Sequence, residues 1–322
     1  MSMRNRRKKR DLSVTVAGVT FPNPIIAASG TYGFGEDYNE LYPINILGGI
    51  SCKGLTLEPR EGNPPPRIAE TPSGMLNSVG LQNPGIDVFL QKHLPFMNEA
   101  CKAPIGKNRP DTVVIANFAG ATLDDYVKTA ERLDKSDISM LELNISCPNV
   151  KEGGAAWGVS TESAARVTKS VRAVTKKPLM VKLTPNVSDV CEIARAVESE
   201  GADAVSLINT LLGMRIDIRT HRPILRNNVG GLSGASVFPV ALRMVWQVAN
   251  AVKIDVVGMG GVMTSDDAVE MMLAGAKAVQ IGTVIISDPY SPLKIIGGIE
   301  HYMNTHNIKD LGSEIVGKVR QW

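Results

Sequence analysis

The sequence predicts an α/β fold, a (β/α)8 barrel of the TIM type with insertions at its C-terminal mouth. Three observations carry that expectation: eight short aliphatic runs alternate with amphipathic stretches of helical length, polar residues or glycines close most of those runs, and 322 residues suffice for one barrel with excursions. The predicted strands are 24–28, 47–53, 112–117, 140–145, 178–183, 204–208, 254–258 and 278–281, and the helices between them include 123–133, 161–175, 189–200, 237–251 and 265–274. Several of these helices open on Ser, Thr or Asp, whose side chain can accept from a free N–H of the first turn. A doubly wound sheet would show the same alternation, but usually with a Gly-x-Gly-x-x-Gly turn, and Gly30-Thr31-Tyr32-Gly33-Phe34-Gly35 lacks that spacing. Segments 55–89 and 211–234 exceed ordinary connection length. Following strands two and six, they belong at the mouth, where barrels build their active sites.

With 43% hydrophobic and 21% charged residues, the composition excludes disordered, collagenous and coiled-coil classes. No apolar run reaches the ~18–20 residues of a membrane span, and the N-terminus has no apolar signal region, so a soluble, cytoplasmic protein without membrane contact is expected. Arg4, Arg6, Arg7, Lys8, Lys9 and Arg10 form a basic tail, read with residues 1–11 as a disordered arm before a single domain over 12–322. Without those six cations the formal charge of +3 becomes −3, an acidic body that argues against a nucleic-acid surface. Cys52, Cys101, Cys147 and Cys191 show no Cys-x-x-Cys spacing and do not cluster with the four histidines, so no metal or iron–sulfur site is expected within this chain.

The strand ends carry the chemistry. They read Ser29-Gly30, Lys53-Gly54, Asn117, Asn144, Lys182, Asn209-Thr210, Gly260-Gly261 and Gly282-Thr283. Glycines after strands seven and eight let backbone amides approach a phosphate, and Gly230-Gly231-Leu232-Ser233-Gly234 offers a third set of amides. Each glycine pair alone is equally well explained by turn geometry; together they point to a phosphate-bearing cofactor. Lys53 and Lys182, if directed inward, need an anion such as a substrate carboxylate or a reduced flavin ring; the bland alternative is a lysine snorkelling to the surface. Asn77, Asn117, Asn144 and Asn209 match the alternating donors and acceptors of a pyrimidine or flavin edge without adding charge, although Asn also suits strand ends as a turn former. Cys147, in a loop of Pro and paired glycines just past strand four, has a thiol with reference pKa near 8.5, and a modest shift would make it a general base.

These residues resemble dihydroorotate dehydrogenase of class 1. The resemblance is carried by Asn77-Ser78-Val79-Gly80-Leu81-Gln82-Asn83-Pro84-Gly85 and by Asn144-Ile145-Ser146-Cys147-Pro148-Asn149-Val150-Lys151-Glu152-Gly153-Gly154. The glycine motif 230–234 with Pro239-Val240-Ala241-Leu242-Arg243, and the two C-terminal glycine motifs, extend it over nearly the whole chain from Leu12. The Gln-Asn-Pro-Gly and Cys-Pro-Asn-Val-Lys runs look most like class 1B. The resemblance implies FMN held by Ser29, Lys53, Gly54, Asn117, Asn144, Lys182, Ile208, Gly234, Gly260, Gly261, Gly282 and Thr283. It implies a pyrimidine bound by Lys53, Asn77, Ser78, Val79, Gly80, Leu81, Asn144, Asn209 and Thr210, with Cys147 taking the proton from C5 of dihydroorotate while hydride passes from C6 to flavin N5. Class 1B further implies a partner subunit carrying FAD and a [2Fe-2S] cluster, which passes electrons to NAD, and a catalytic homodimer within a heterotetramer. A fumarate-using homodimer of class 1A is the neighbouring possibility. Another dihydropyrimidine, dihydrouridine in RNA, or a non-catalytic flavin scaffold are the competing readings.

Overall fold

Each of the eight aliphatic runs forms a strand, and they pair in chain order. In this computed structural model, which describes residues 10–104, 109–146 and 157–320, the strands are β1 (Ile25–Ala27), β2 (Gly49–Ser51), β3 (Val113–Phe118), β4 (Met140–Asn144), β5 (Leu179–Lys182), β6 (Ala204–Leu207), β7 (Asp255–Met259) and β8 (Ala278–Ile281). They close into a parallel barrel through pairs such as Ile26 with Gly49, Glu142 with Met180, and Ile281 with Ala27. Buried on both faces, these strands read as continuous apolar runs in which each inward polar residue stands out.

The predicted helices form at α2 (Leu123–Asp134), α3 (Thr161–Arg172), α4 (Val190–Ser199), α5 (Phe238–Ala249) and α6 (Ser265–Leu273), with α1 (Leu94–Ala100) before them and α7 (Ser291–Thr305) after. Thr122 and Thr264 build capping boxes with Asp125 and Asp267, while Ser160 and Asp189 cap α3 and α4 singly. The 15-residue α7 was not anticipated from the sequence; its two interior glycines blur the periodicity, and burial of Ile295, Ile299 and Met303 holds it.

The two long excursions meet. Segments Ile68–Thr71, Gly74–Asn77, Gly230–Ser233 and Leu211–Gly213 form one antiparallel sheet over the barrel mouth, in the order 211–213, 230–233, 74–77, 68–71. Gly231 is required there, because a Cβ would lie 2.0 Å from Thr210 Oγ1. Arg10, counted above with the basic tail, is tied to α7: its Nε donates to Asn304 Oδ1 at 3.0 Å. No helix among the described residues is long and apolar enough to cross a membrane.

Candidate active site

The barrel interior is built around a carboxylate. Glu142, on β4 and without solvent exposure, accepts hydrogen bonds from Ser51 Oγ of β2 (2.5 Å), Asn117 Nδ2 of β3 (2.7 Å), Ser206 Oγ of β6 (2.7 Å) and Gln280 Nε2 of β8 (2.7 Å). Burial would raise its pKa, but the Lys182 ammonium and these donors outweigh that and hold it below the usual carboxylate value. Strand alternation explains the arrangement: Glu142 and Asn144 are two residues apart on one strand, so both face inward.

From this floor a chain of polar contacts climbs to the mouth. Asn144 Nδ2 donates to Asn117 Oδ1 at 3.3 Å, Ser146 Oγ donates to Asn144 Oδ1 at 2.8 Å, and Asn209 Nδ2 donates to Ser146 Oγ at 2.9 Å. Tyr126 OH, with its ring between those of Phe118 on β3 and Trp157, donates to the Asn144 carbonyl at 3.0 Å. Ser146, in the middle of this relay, directly precedes Cys147, which lies outside the described residues.

Above the floor lies a cavity of about 380 Å³, within the ~300–1,000 Å³ of small-molecule sites. The structure brings to its wall Ser29, Lys53, Gly54, Asn77, Val79, Gly80, Leu81, Asn144, Lys182, Ile208, Asn209, Thr210, Gly260, Gly261, Gly282 and Thr283, residues from both halves of the chain. Three of the expected set stand elsewhere. Asn117 is behind the wall, spent on Glu142 and Asn144; Ser78 is wholly buried; and Gly234 packs against Gly74, where a Cβ would lie 2.5 Å from the Gly74 Cα. Gly230–Ser233 is a strand of the lid sheet rather than an open anion loop.

Sequence reasoning missed Gln280 and the apolar wall of Met259, Val262, Met263 and Ile286. It also missed Glu142. The available signal was a lone Gln in an otherwise apolar strand and a Glu in register with Asn144. Gln280 Oε1 is buried without a hydrogen-bond partner, an acceptor left over on the cavity floor.

The electrostatics are one-sided. Lys182 is 5% exposed and Lys53 half-buried, and among the described residues neither has a carboxylate within 4.0 Å. Burial, and then the charge of Arg67, lower the pKa of Lys53. Opposite, Gly260 (φ +116°) and Gly261 (φ +77°) present bare backbone; a Cβ on Gly261 would lie 2.6 Å from the Phe238 nitrogen. A glycine corner, two cations and buried amide groups suit a planar, partly anionic ligand with a phosphate tail, and a flavin has that donor and acceptor set.

Comparison with known proteins agrees. The family model described as dihydroorotate dehydrogenase matches residues 11–303. The chain belongs to the dihydroorotate dehydrogenase family. It is 54% identical over 308 residues to the dihydroorotate dehydrogenase B (NAD(+)), catalytic subunit, of Bacteroides thetaiotaomicron, covering 95% of this chain and 98% of that one. It is 50% identical over 311 residues to the protein of the same name from Alkaliphilus oremlandii, covering 97% and 99%. The crystal structure of a dihydroorotate dehydrogenase in complex with ferulenol, from Eimeria tenella, superposes with a TM-score of 0.80 at 21% identity over 100% of this chain and 92% of that one, a likeness of fold. Within the dihydroorotate dehydrogenase family this chain is therefore of the B type, an oxidoreductase on a (β/α)8 barrel.

Proposed function

We propose that this chain is the FMN-binding catalytic subunit that oxidises dihydroorotate to orotate in pyrimidine biosynthesis. The observation that carries the reading is the pair of lysines, Lys53 and Lys182, on the wall of a glycine-cornered cavity, in a chain half identical to named catalytic subunits. FMN, when bound, supplies a two-electron hydride acceptor. Gly260, Gly261, Gly282 and Thr283 would hold its phosphate, and Lys182, Asn144, Gly54, Ser29 and Ile208 its ring, with Asn117 supporting from behind. Lys53 answers the substrate carboxylate, and Asn77, Asn144, Asn209 and Thr210 orient the pyrimidine under the lid sheet, with Val79, Gly80 and Leu81 closing over it. Cys147 takes the C5 proton; its neighbour in the chain, Ser146, is fixed by Asn144 and Asn209.

The relatives' printed designation as the catalytic subunit of a B (NAD(+)) enzyme supports a second subunit, which we read as carrying FAD and a [2Fe-2S] cluster around a catalytic homodimer in a cytoplasmic heterotetramer. Anaerobic titration of the purified chain with dihydroorotate, followed by visible flavin absorbance, tests the reading. Bleaching at one equivalent is expected; a flavin spectrum indifferent to dihydroorotate refutes it. Cys147→Ala should retain flavin and bleach about 10²-fold more slowly, and unchanged kinetics would remove Cys147 from the mechanism.

A further inference from the structure

Among the described residues Glu142 is the only carboxylate, and Lys182 the only lysine or arginine, that folding buries fully. Barrel interiors fill readily with aliphatic side chains, so a charge kept there, at a desolvation cost of several kcal/mol, calls for an explanation. Glu142 is the hub of donors from four other strands. Ser206 and Gln280 share Oε1, and Ser51 and Asn117 share Oε2.

An acceptor-only group dictates which end of each amide it meets. Gln280 must turn its Nε2 to Glu142, and its Oε1 is thereby left without a partner in a side chain that lines the cavity. Asn117 must do the same, and its Oδ1 receives Asn144, another cavity residue. The carboxylate also acts on Lys182, which is paired in register with Asn144 on one side and Ser206 on the other. Orientation and charge at the cavity floor thus converge on one side chain that does not itself line the cavity.

We propose that Glu142 is a positioning residue for the flavin: it fixes the amide orientations of Gln280 and Asn117 and offsets the charge of Lys182, so keeping the bound flavin's reduction potential low. The inference rests on the flavin reading above. An unopposed Lys182 cation stabilises the more negative, reduced flavin, so removing the anion raises the potential.

The experiment equilibrates flavin-loaded protein anaerobically with redox dyes and reads the midpoint potential spectroscopically for wild type, E142Q, E142D, K182M and E142Q/K182M. E142Q should favour the reduced over the oxidised flavin about tenfold more than wild type, a rise of about 30 mV for a two-electron couple. E142D, which draws the charge back by one methylene, should give a smaller rise, and it decides the matter if E142Q yields no loaded protein. In the K182M background the E142Q rise should shrink by more than half, which general loosening of the fold would not produce. A flavin-loaded E142Q or E142D at or below the wild-type potential, or an undiminished rise when E142Q is added to K182M, overturns the inference alone. A wild-type chain that holds no flavin overturns the functional reading and this inference together.

Discussion

Replacing Asn83 with alanine should destabilise the protein far more than its place in an excursion suggests. Asn83 is buried, and its Oδ1 accepts from the backbone N–H of Thr56 (3.1 Å) and of Gly85 (2.9 Å). Its Nδ2 donates to Thr56 Oγ1 (2.8 Å) and to the carbonyl of Leu81 (2.7 Å), a residue held at φ +56° on the cavity wall. Alanine leaves two buried amides unpaired, at roughly 1–3 kcal/mol each, and removes two further bonds worth roughly 1 kcal/mol each, which with partial relaxation gives about 3–5 kcal/mol. Equilibrium urea unfolding would read that loss, and calorimetric titration with orotate should show weakened binding as Leu81 is released. Gln82→Ala is the internal comparison: Gln82 is exposed and, among the described residues, accepts a hydrogen bond from Arg67, so less than about 1 kcal/mol is expected. A cost below 1 kcal/mol for Asn83→Ala, with orotate affinity intact, would refute the assignment of this side chain as the brace of the substrate loop.

Lys53→Ala should weaken orotate binding roughly 10- to 100-fold, from the loss of a charge-assisted hydrogen bond of about 1.5–3 kcal/mol, with intact affinity in an equilibrium titration as the contrary result. Gly261→Ala places a Cβ 2.6 Å from backbone at a φ of +77°, so the purified variant should carry little flavin, and a full complement by absorbance ratio would contradict the glycine corner. Because the folded state depresses the Glu142 pKa, its charge stabilises the fold fully above the ordinary value of 4.5, and that contribution drains away as pH falls through the folded value. The stability gap between wild type and Glu142→Gln should therefore narrow from pH 6 towards pH 3, and denaturant unfolding that finds a constant gap would count against an ionised Glu142.

Much of this protein was legible in its sequence for local reasons. Strands buried on both faces are continuous aliphatic runs, their helices begin at side-chain caps, and the end of a barrel strand is where function is sited, so the wall residues Lys53, Asn144, Lys182, Asn209, Gly260 and Gly282 could be named from position alone. The two excursions were also visible as segments too long to be connections. What they build was not: pairing of 74–77 with 230–233 joins residues more than 150 positions apart, and such register depends on close approaches like that of Gly231 to Thr210, which no local pattern encodes. Gly234, packed against Gly74, illustrates the same limit, since glycine for close packing and glycine for a phosphate look alike along the chain. Composition and periodicity by themselves determined a barrel with polar strand ends. Only the tertiary structure decided that Glu142 stands at its centre, because a carboxylate with four partners on four other strands is affordable only once the barrel has closed and brought those donors within hydrogen-bonding distance.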